Sequence, residues 1–343
     1  MSTNNICPVC GATRAPNAGS SYTCCGCGFK LAFVDRFADR QSYELWQSRA
    51  KEAKGRIIAG HRRETAARDN FIFGSSAIVF RSLKSSEAYI VSGNGSFSKE
   101  ENVASVSVGE RNIAVAYRNG KVKVFGDDNG FGQKNTESWT DVRSVLTCAN
   151  CTYGITSQGG IICAGSPVSK DVAYWKGITR LRCSTNAAAG LDSSKSIRIA
   201  GDAPYASKIS GGVSYEDMAL SKDCLIALAS DGSVYCYGQE GAISSCAGWK
   251  NIIAVTADNV FAYGLTENGE MKVAGQCKAF LDKGRSKSAE WKGLIAISAN
   301  RSGIAGITEE GELLLAGTVT GDKDKMISSW NANVKNVVIS AFL

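Results

Sequence analysis

Ile113-Ala114-Val115-Ala116-Tyr117, Arg118-Asn119-Gly120, Lys121-Val122-Lys123-Val124-Phe125-Gly126 is an apolar run, a turn, and a second apolar run closed by an aromatic and a glycine. Runs of five or six residues with alternating character, separated by Asn-Gly, read as a β-hairpin. The phrase recurs. Its closing glycines fall at Gly93, Gly126, Gly165, Gly201, Gly238, Gly275 and Gly317, spaced by 33, 39, 36, 37, 37 and 42 residues. A period of this length built from strand-like runs signals a propeller, because one such unit cannot bury its own apolar faces and must stack on its neighbours. The expected fold is all-β: a seven-bladed β-propeller over 70–343, preceded by a small four-Cys ribbon over 1–34 and a basic helical linker over 35–69.

A second marker runs in step with the first. Trp139, Trp175, Trp249 and Trp291 each precede an apolar run, Trp330 leads similarly into Val334, and Tyr215 takes the place in another copy. One aromatic per repeat forms a belt around the ring. Two readings stand: Trp139, Trp175, Trp249, Trp291 and Trp330 give a partner-binding aromatic rim, or they wedge between blades. Val337 to Phe342 reads as one more copy of the apolar strand, expected to pair beside the first blade and lock the ring.

The unit Val106-Ser107-Val108-Gly109-Glu110-Arg111-Asn112, the 113–126 phrase and Asp127-Asp128-Asn129-Gly130-Phe131-Gly132-Gln133 together resemble the regulator-of-chromosome-condensation repeat family. Further copies are Ala229–Gly238, Leu265–Gly275 and Ile307–Leu313. The resemblance implies a seven-bladed ring of the divergent bacterial sort. The family's glycine before the second strand survives at Gly109 and Gly74, and its His-Thr pair is absent. Nucleotide exchange on a small GTPase and nucleosome binding are therefore not carried over. The resemblance thus implies tight binding of a protein, by analogy with bacterial propellers of this class.

Cys7-Pro8-Val9-Cys10-Gly11 and Cys24-Cys25-Gly26-Cys27-Gly28 form two C-x2-C-G knuckles with thirteen residues between them. Four thiolates at this spacing suit tetrahedral Zn²⁺ with no open position, held by Cys7, Cys10, Cys24 and Cys27. A closed site of this kind folds a segment too small for its own core and implies no catalysis. Cys148-Ala149-Asn150-Cys151 is a lone C-x2-C at the end of a strand with no matching pair, and Cys163, Cys183, Cys224, Cys236, Cys246 and Cys277 read as small strand residues, all expected to stay reduced.

The chain is 343 residues with net charge +7. Residues 1–68 hold eleven Lys and Arg against five Asp and Glu, an excess of six, and the rest carries an excess of one. Between Asp35 and Asp69, Trp46, Ala50, Ala53 and Ile57 form one helical stripe, with Arg49, Arg56 and Arg63 seven apart on a neighbouring face. That face either binds an acidic partner or nucleic acid, or is solvated while the Trp46 stripe packs on the propeller. Gly60 is a place where one helix ends and another starts. His61, the only histidine, is expected to be exposed. No apolar run approaches the roughly 18 residues of a membrane span, and nothing resembles a signal peptide, so a cytoplasmic protein is expected. No nucleophile–base pair or phosphate loop is readable, so the expectation is a non-enzymatic protein-binding scaffold without a small-molecule substrate. The alternative is a nucleic-acid-associated protein acting through residues 1–68.

Metal analysis of purified protein is expected to return one zinc per chain. Cys25→Ser should retain it, whereas Cys24→Ser should lose it and leave the propeller folded. A zinc-free protein with intact thiols would overturn the assignment.

Overall fold

The computed structural model describes residues 7, 9, 29, 40–67, 69–148, 150–238, 241–301 and 303–342. The chain forms two compact units, Met1–His61 with Phe342–Leu343, and Arg62–Ala341.

In the larger unit the described residues build seven antiparallel sheets in sequence order. Blade 1 has four strands: Phe71–Phe73, Ala77–Arg81, Ala88–Ser92 and Phe97–Glu100. The others have three, here called inner, middle and outer. They are Val103–Val108, Asn112–Tyr117 and Val122–Gly126 in blade 2, and Val142–Thr147, Cys151–Thr156 and Ile161–Gly165 in blade 3. Blade 4 is Ile178–Cys183, Ala187–Asp192 and Ile197–Gly201. Blade 5 is Tyr215–Leu220, Cys224–Ala229 and Val234–Gly238. Blade 6 is Ile252–Ala257, Phe261–Thr266 and Met271–Gly275, and blade 7 is Leu294–Ala299, Gly303–Thr308 and Leu313–Gly317.

The middle strands of blades 4 to 7 are buried along their whole length. Each is sandwiched between neighbouring blades, which is why these runs are nearly continuous in Ala, Gly, Leu and Ile instead of alternating. The core is accordingly a series of layers between blades. One layer joins Cys151, Tyr153 and Ile155 of blade 3 to Ile178, Leu181 and Ala188 of blade 4. Each fully buried large apolar side chain contributes roughly 1.5–3 kcal/mol, so these layers outweigh the few hydrogen bonds at each junction. The hydrogen bonds set the register. The closing glycines meet a steric demand as well: Gly126 has φ +123°, and a Cβ there would stand 2.3 Å from Arg111 O.

One main-chain bond repeats from blade to blade. The first N–H of each inner strand donates to a carbonyl in the middle–outer turn of the preceding blade. The pairs are Val103 to Ser86 (2.8 Å), Val142 to Gly120 (3.1 Å), Ile178 to Gly159 (2.9 Å), Tyr215 to Lys195 (2.9 Å), Ile252 to Gly232 (3.1 Å) and Leu294 to Gly269 (2.9 Å). At the seventh junction the acceptor is Gly311 O, and the donor is the indole Nε1 of Trp330 at 2.9 Å.

Two expectations are corrected here. Trp330 does not precede a strand, and Val337 to Phe342 is not one. Both lie in a helical pair, Lys323–Asn333 and Lys335–Phe342. Met326, Trp330, Val334 and Val338, four residues apart, are all buried to 1% exposure or less. That stripe extends to both sides of the tryptophan, and reading only the residues after it hid the helical period. Asp322 caps the first helix, accepting from the N–H of Asp324 and Lys325, and its own N–H donates to Gly93 O of blade 1 at 2.9 Å. Trp330 also meets Phe71 edge-on at 6.1 Å. The ring is closed by a helix that holds blade 7 at Gly311 and blade 1 at Gly93. The inner strands meet directly as well, with Phe73 N–H donating to Ser298 Oγ at 2.9 Å.

The helix Arg40–Ala67 is continuous over 28 residues and passes through Gly60, so the expected break there is absent. Its Ala50, Ala53 and Ile57 pack with Cys7, Val9 and Phe29, and Phe29 lies 6.1 Å from Trp46. The described packing of this stripe is thus with the N-terminal segment.

Trp330→Phe should keep the packing but leave Gly311 O without its donor, costing about 1–2 kcal/mol in chemical denaturation. Trp330→Ala, which adds a cavity at the seam, should cost about 3–5 kcal/mol. Equal losses for the two variants would remove the indole bond from the account of closure.

Candidate functional site

The inner strands enclose a channel of about 540 Å³ lined by residues of all seven blades. Their third and fifth residues are, in the main, hydroxyl-bearing or charged, and they bridge to the next blade. Ser107 Oγ accepts from Thr147 N–H (2.9 Å), Thr256 Oγ1 from Ala299 N–H (3.0 Å) and Ser298 Oγ from Phe73 N–H. A hydroxyl at these places satisfies a neighbouring backbone donor that an apolar side chain would leave without an acceptor.

In blades 4 and 5 the same places hold Arg180, Arg182 and Asp217. Arg180 Nη1 donates to Asp217 Oδ1 at 2.5 Å, and Arg180 Nε stands 3.4 Å from Asp69 Oδ2. Arg182 grips Asp69 with both terminal nitrogens, at 2.7 and 3.2 Å. Its Nη2 lies 3.3 Å from Asp217, whose carboxylate also accepts from Met218 N–H at 2.8 Å. Asp69, just before blade 1, thereby reaches the opposite side of the ring. Burial alone would raise the carboxyl of Asp69, but Arg180 and Arg182 beside it prevail and hold it well below the usual carboxylate range. Burial alone would lower Arg180, and Asp69 and Asp217 more than offset that.

The remaining charges of the channel are paired too. Arg301 of blade 7 meets Glu110 of blade 2. Asp258 binds Arg285 Nη1 and Tyr263 OH, both at 2.9 Å, and accepts from the N–H of Val260 and Phe261. Among the described residues every charged side chain lining the channel has an opposite partner. The arrangement fixes blades to one another and presents no free acid, base or nucleophile pair. Sequence reading missed this cluster. The available signal was Arg180 and Arg182 at alternate positions of a strand whose counterparts are mostly Ser, Thr and Ala.

Of the residues singled out in sequence, Trp139 and Trp175 are 8% exposed and Trp330 is wholly buried, while Trp249 and Trp291 are half-buried. Trp139, Trp175, Trp249 and Trp291 each lie over a glycine fifteen residues on, in the middle strand of the blade they precede. A Cβ at Gly154, Gly190, Gly264 or Gly306 would come within 2.8–3.2 Å of the indole. In blade 5 the tryptophan place is Gly212 and the facing residue is Ala227. With no ring above it the methyl is admitted. Tyr215 is the first residue of that blade's inner strand, and its hydroxyl meets Tyr237 OH at 2.7 Å. Of the large exposed apolar side chains among the described residues, Phe131, Tyr174, Phe280 and Leu281 lie on connectors between blades, Phe97 on the fourth strand of blade 1 and Leu45 on the N-terminal helix.

Arg49 and Arg56 are exposed on the helix, as are Lys51 and Lys54, and none of the four enters an ion pair among the described residues. Arg63 lies on the same helix, and its side chain, like that of His61, is outside the described residues. Cys10, Cys24 and Cys27 are also outside them. Cys7 is buried, and its Sγ accepts from Val9 N–H at 3.4 Å. Cys148 and Cys183 form a disulfide, which corrects their reading as separate reduced thiols. Cys246 lies in a 3-10 turn and Cys277 on a connector, not in strands.

No family model and no curated protein sequence matches the chain. Among solved structures it is similar to the CRINKLY WD40 ectodomain of the Arabidopsis thaliana receptor kinase ACR4, with a TM-score of 0.55 and 12% identity over 72% of this chain and 94% of that one. The ectodomain of the Physcomitrella patens receptor kinase CR4 gives 0.54 and 12%, over 71% of each chain. Prp20p of Saccharomyces cerevisiae gives 0.49 and 10%, over 76% and 84%. At these identities the first two likenesses concern the fold alone, and the fold is a β-propeller.

Asp69→Asn keeps the shape of a residue held at φ +48° and removes its charge. It should cost about 1 kcal/mol at pH 7, a modest figure because the side chain is 44% exposed and solvent screens it. Since the folded-state pKa is depressed, this contribution is fully present above about pH 4 and is lost as pH falls through the lower folded value. The gap between the denaturation curves of the two proteins should therefore be full at pH 7 and distinctly smaller at pH 2.5. A difference independent of pH would mean that the Asp69 charge is not what stabilises.

Proposed function

We propose that this chain is a non-enzymatic, cytoplasmic protein-binding scaffold, whose propeller engages a protein partner while a zinc ribbon and the basic helix supply an accessory contact. The observation that carries the reading is the division of chemistry within the propeller. The channel's charges are spent on one another, whereas Tyr174, Phe280 and Phe131 are 80%, 72% and 56% exposed on the connectors. Exposed aromatics on a rigid frame are favoured anchors for a protein surface. The tryptophans take the packing role, so the contact is assigned to the connector aromatics. The finer description as divergent regulator-of-chromosome-condensation-type repeats rests on the motifs around Gly109, Asp231-Gly232 and Asn268-Gly269.

The zinc ribbon is part of the proposal. Cys7, Cys10, Cys24 and Cys27 would hold the ion, and the Val9 N–H donated to Cys7 Sγ is the bond that a C-x2-C knuckle makes to its first thiolate. The metal would serve to fold the segment on which Ala50, Ala53 and Ile57 pack. A second reading, nucleic-acid binding, is favoured only by the exposed cations Arg49, Lys51, Lys54 and Arg56, which lack ion partners among the described residues.

The test is cross-linking of the full chain in lysate of its source cells, with the captured partner then purified and titrated. Phe131→Asp with Tyr174→Asp and Phe280→Asp should weaken a salt-tolerant interaction at least tenfold without lowering thermal stability. Arg49→Glu with Arg56→Glu and Arg63→Glu should reduce only a salt-sensitive component, since exposed charges are screened beyond about 8 Å at physiological ionic strength. Unaltered binding by the first variant, or nucleic acid bound by residues 1–68 more tightly than any protein, would overturn the scaffold reading.

A further inference from the structure

The seam between blades 3 and 4 lacks the hydroxyl bridge that three other seams of the channel wall make. In blades 2, 6 and 7 the fifth residue of the inner strand is Ser107, Thr256 or Ser298, each accepting from the next blade. In blade 3 that residue is Leu146, which has no hydroxyl to offer Cys183 N–H. Here the Cys148–Cys183 bond joins the two blades, with the Cα atoms 6.7 Å apart and the two cysteines separated by 35 positions in sequence. Both cysteines are half-buried and line the channel, so small thiols reach them through it. Cys151, whose carbonyl accepts Cys148 N–H at 2.8 Å, stands outside this disulfide, as do Cys163, Cys224, Cys236, Cys246 and Cys277.

We propose that Cys148 and Cys183 form a reversible redox clasp that sets how firmly blades 3 and 4 are held at one mouth of the channel. In closing, the two thiols give up two protons and two electrons to a low-molecular-weight disulfide such as oxidised glutathione, which leaves as two thiols. Opening is the reverse exchange, with two glutathione thiols consumed and their disulfide released. The far end of the seam does not depend on the clasp. It is held by Ile178 N–H on Gly159 O and by Arg143 Nη2 on Ile178 O at 2.5 Å. Opening should therefore loosen the two hairpins that carry the cysteines, around Thr147–Cys151 and Cys183–Ala187, and leave the rest of the ring in place.

The test uses the full chain equilibrated with oxidised or reduced glutathione. Non-reducing peptide mapping should find Cys148 linked to Cys183 in the first and two additional alkylatable thiols in the second. Reduction should lower Tm by about 5 °C, the shift expected for releasing a loop of this length in a large domain, and speed hydrogen exchange in the two hairpins. Cys148→Ser with Cys183→Ser should show one Tm in both buffers, near that of the reduced protein, which separates the clasp from the other thiols. No linked peptide at any glutathione ratio would overturn the proposal. So would a link that reduced glutathione fails to open, since that is a fixed staple, or hairpin exchange that is the same in both buffers.

Discussion

The structure depends on one hydrogen bond made seven times. Each middle–outer turn leaves a carbonyl pointing forward, and the next blade must bring a donor to it. Six donors are the leading N–H groups of inner strands, supplied by the same segment that crosses from one blade to the next. The seventh is not supplied in that way, because the segment that leaves blade 7 runs into a helix and not into another inner strand. An indole N–H does the work of a peptide N–H there, carried by a helix whose buried stripe also covers Phe71. Apolar layers between blades provide most of the free energy, but they are tolerant of small rotations. The repeated carbonyl bond is directional, and it fixes the angle at which consecutive blades meet.

The tryptophans illustrate how a repeated feature divides between packing and recognition. Each of four indoles lies over a glycine fifteen residues further on, and the spacing is fixed because the inner strand, its turn and half the middle strand have constant length. Blade 5 lacks the indole and accepts Ala227 in the glycine's place, with Tyr215 and Tyr237 filling its interior. Exposed aromatic surface falls mainly on the connectors, whose lengths and conformations differ from blade to blade. A ring with a uniform interior and individual connectors suits a binding surface that must be specific at few points.

How much of this was legible in the sequence follows from length scale. The number of blades was readable because closing glycines and turn dipeptides recur at a fixed spacing. Closure was not readable: Val337 to Phe342 is apolar enough for a strand, and the helical alternative appears only when Met326, Trp330, Val334 and Val338 are taken together. The channel cluster was hidden for another reason. Arg180 and Arg182 are ordinary surface residues by type, and only the ring brings Asp69, more than a hundred positions earlier, into contact with them. Partnering of Cys148 with Cys183 was concealed likewise, since the nearer Cys151 suggested a C-x2-C pair.

Closure by a side chain also has a consequence for the order in which the protein is made. Residues 322–338 leave the ribosome after all seven blades. Until then Gly311 has no indole donor and the inner face of blade 1 is uncovered at Phe71. The nascent chain is an open arc that grows blade by blade, and its two ends are joined only once that helix has emerged. A stall or premature stop within those seventeen codons would leave seven formed blades and an unsealed ring, exposing one apolar layer to whatever chaperone or neighbour is at hand.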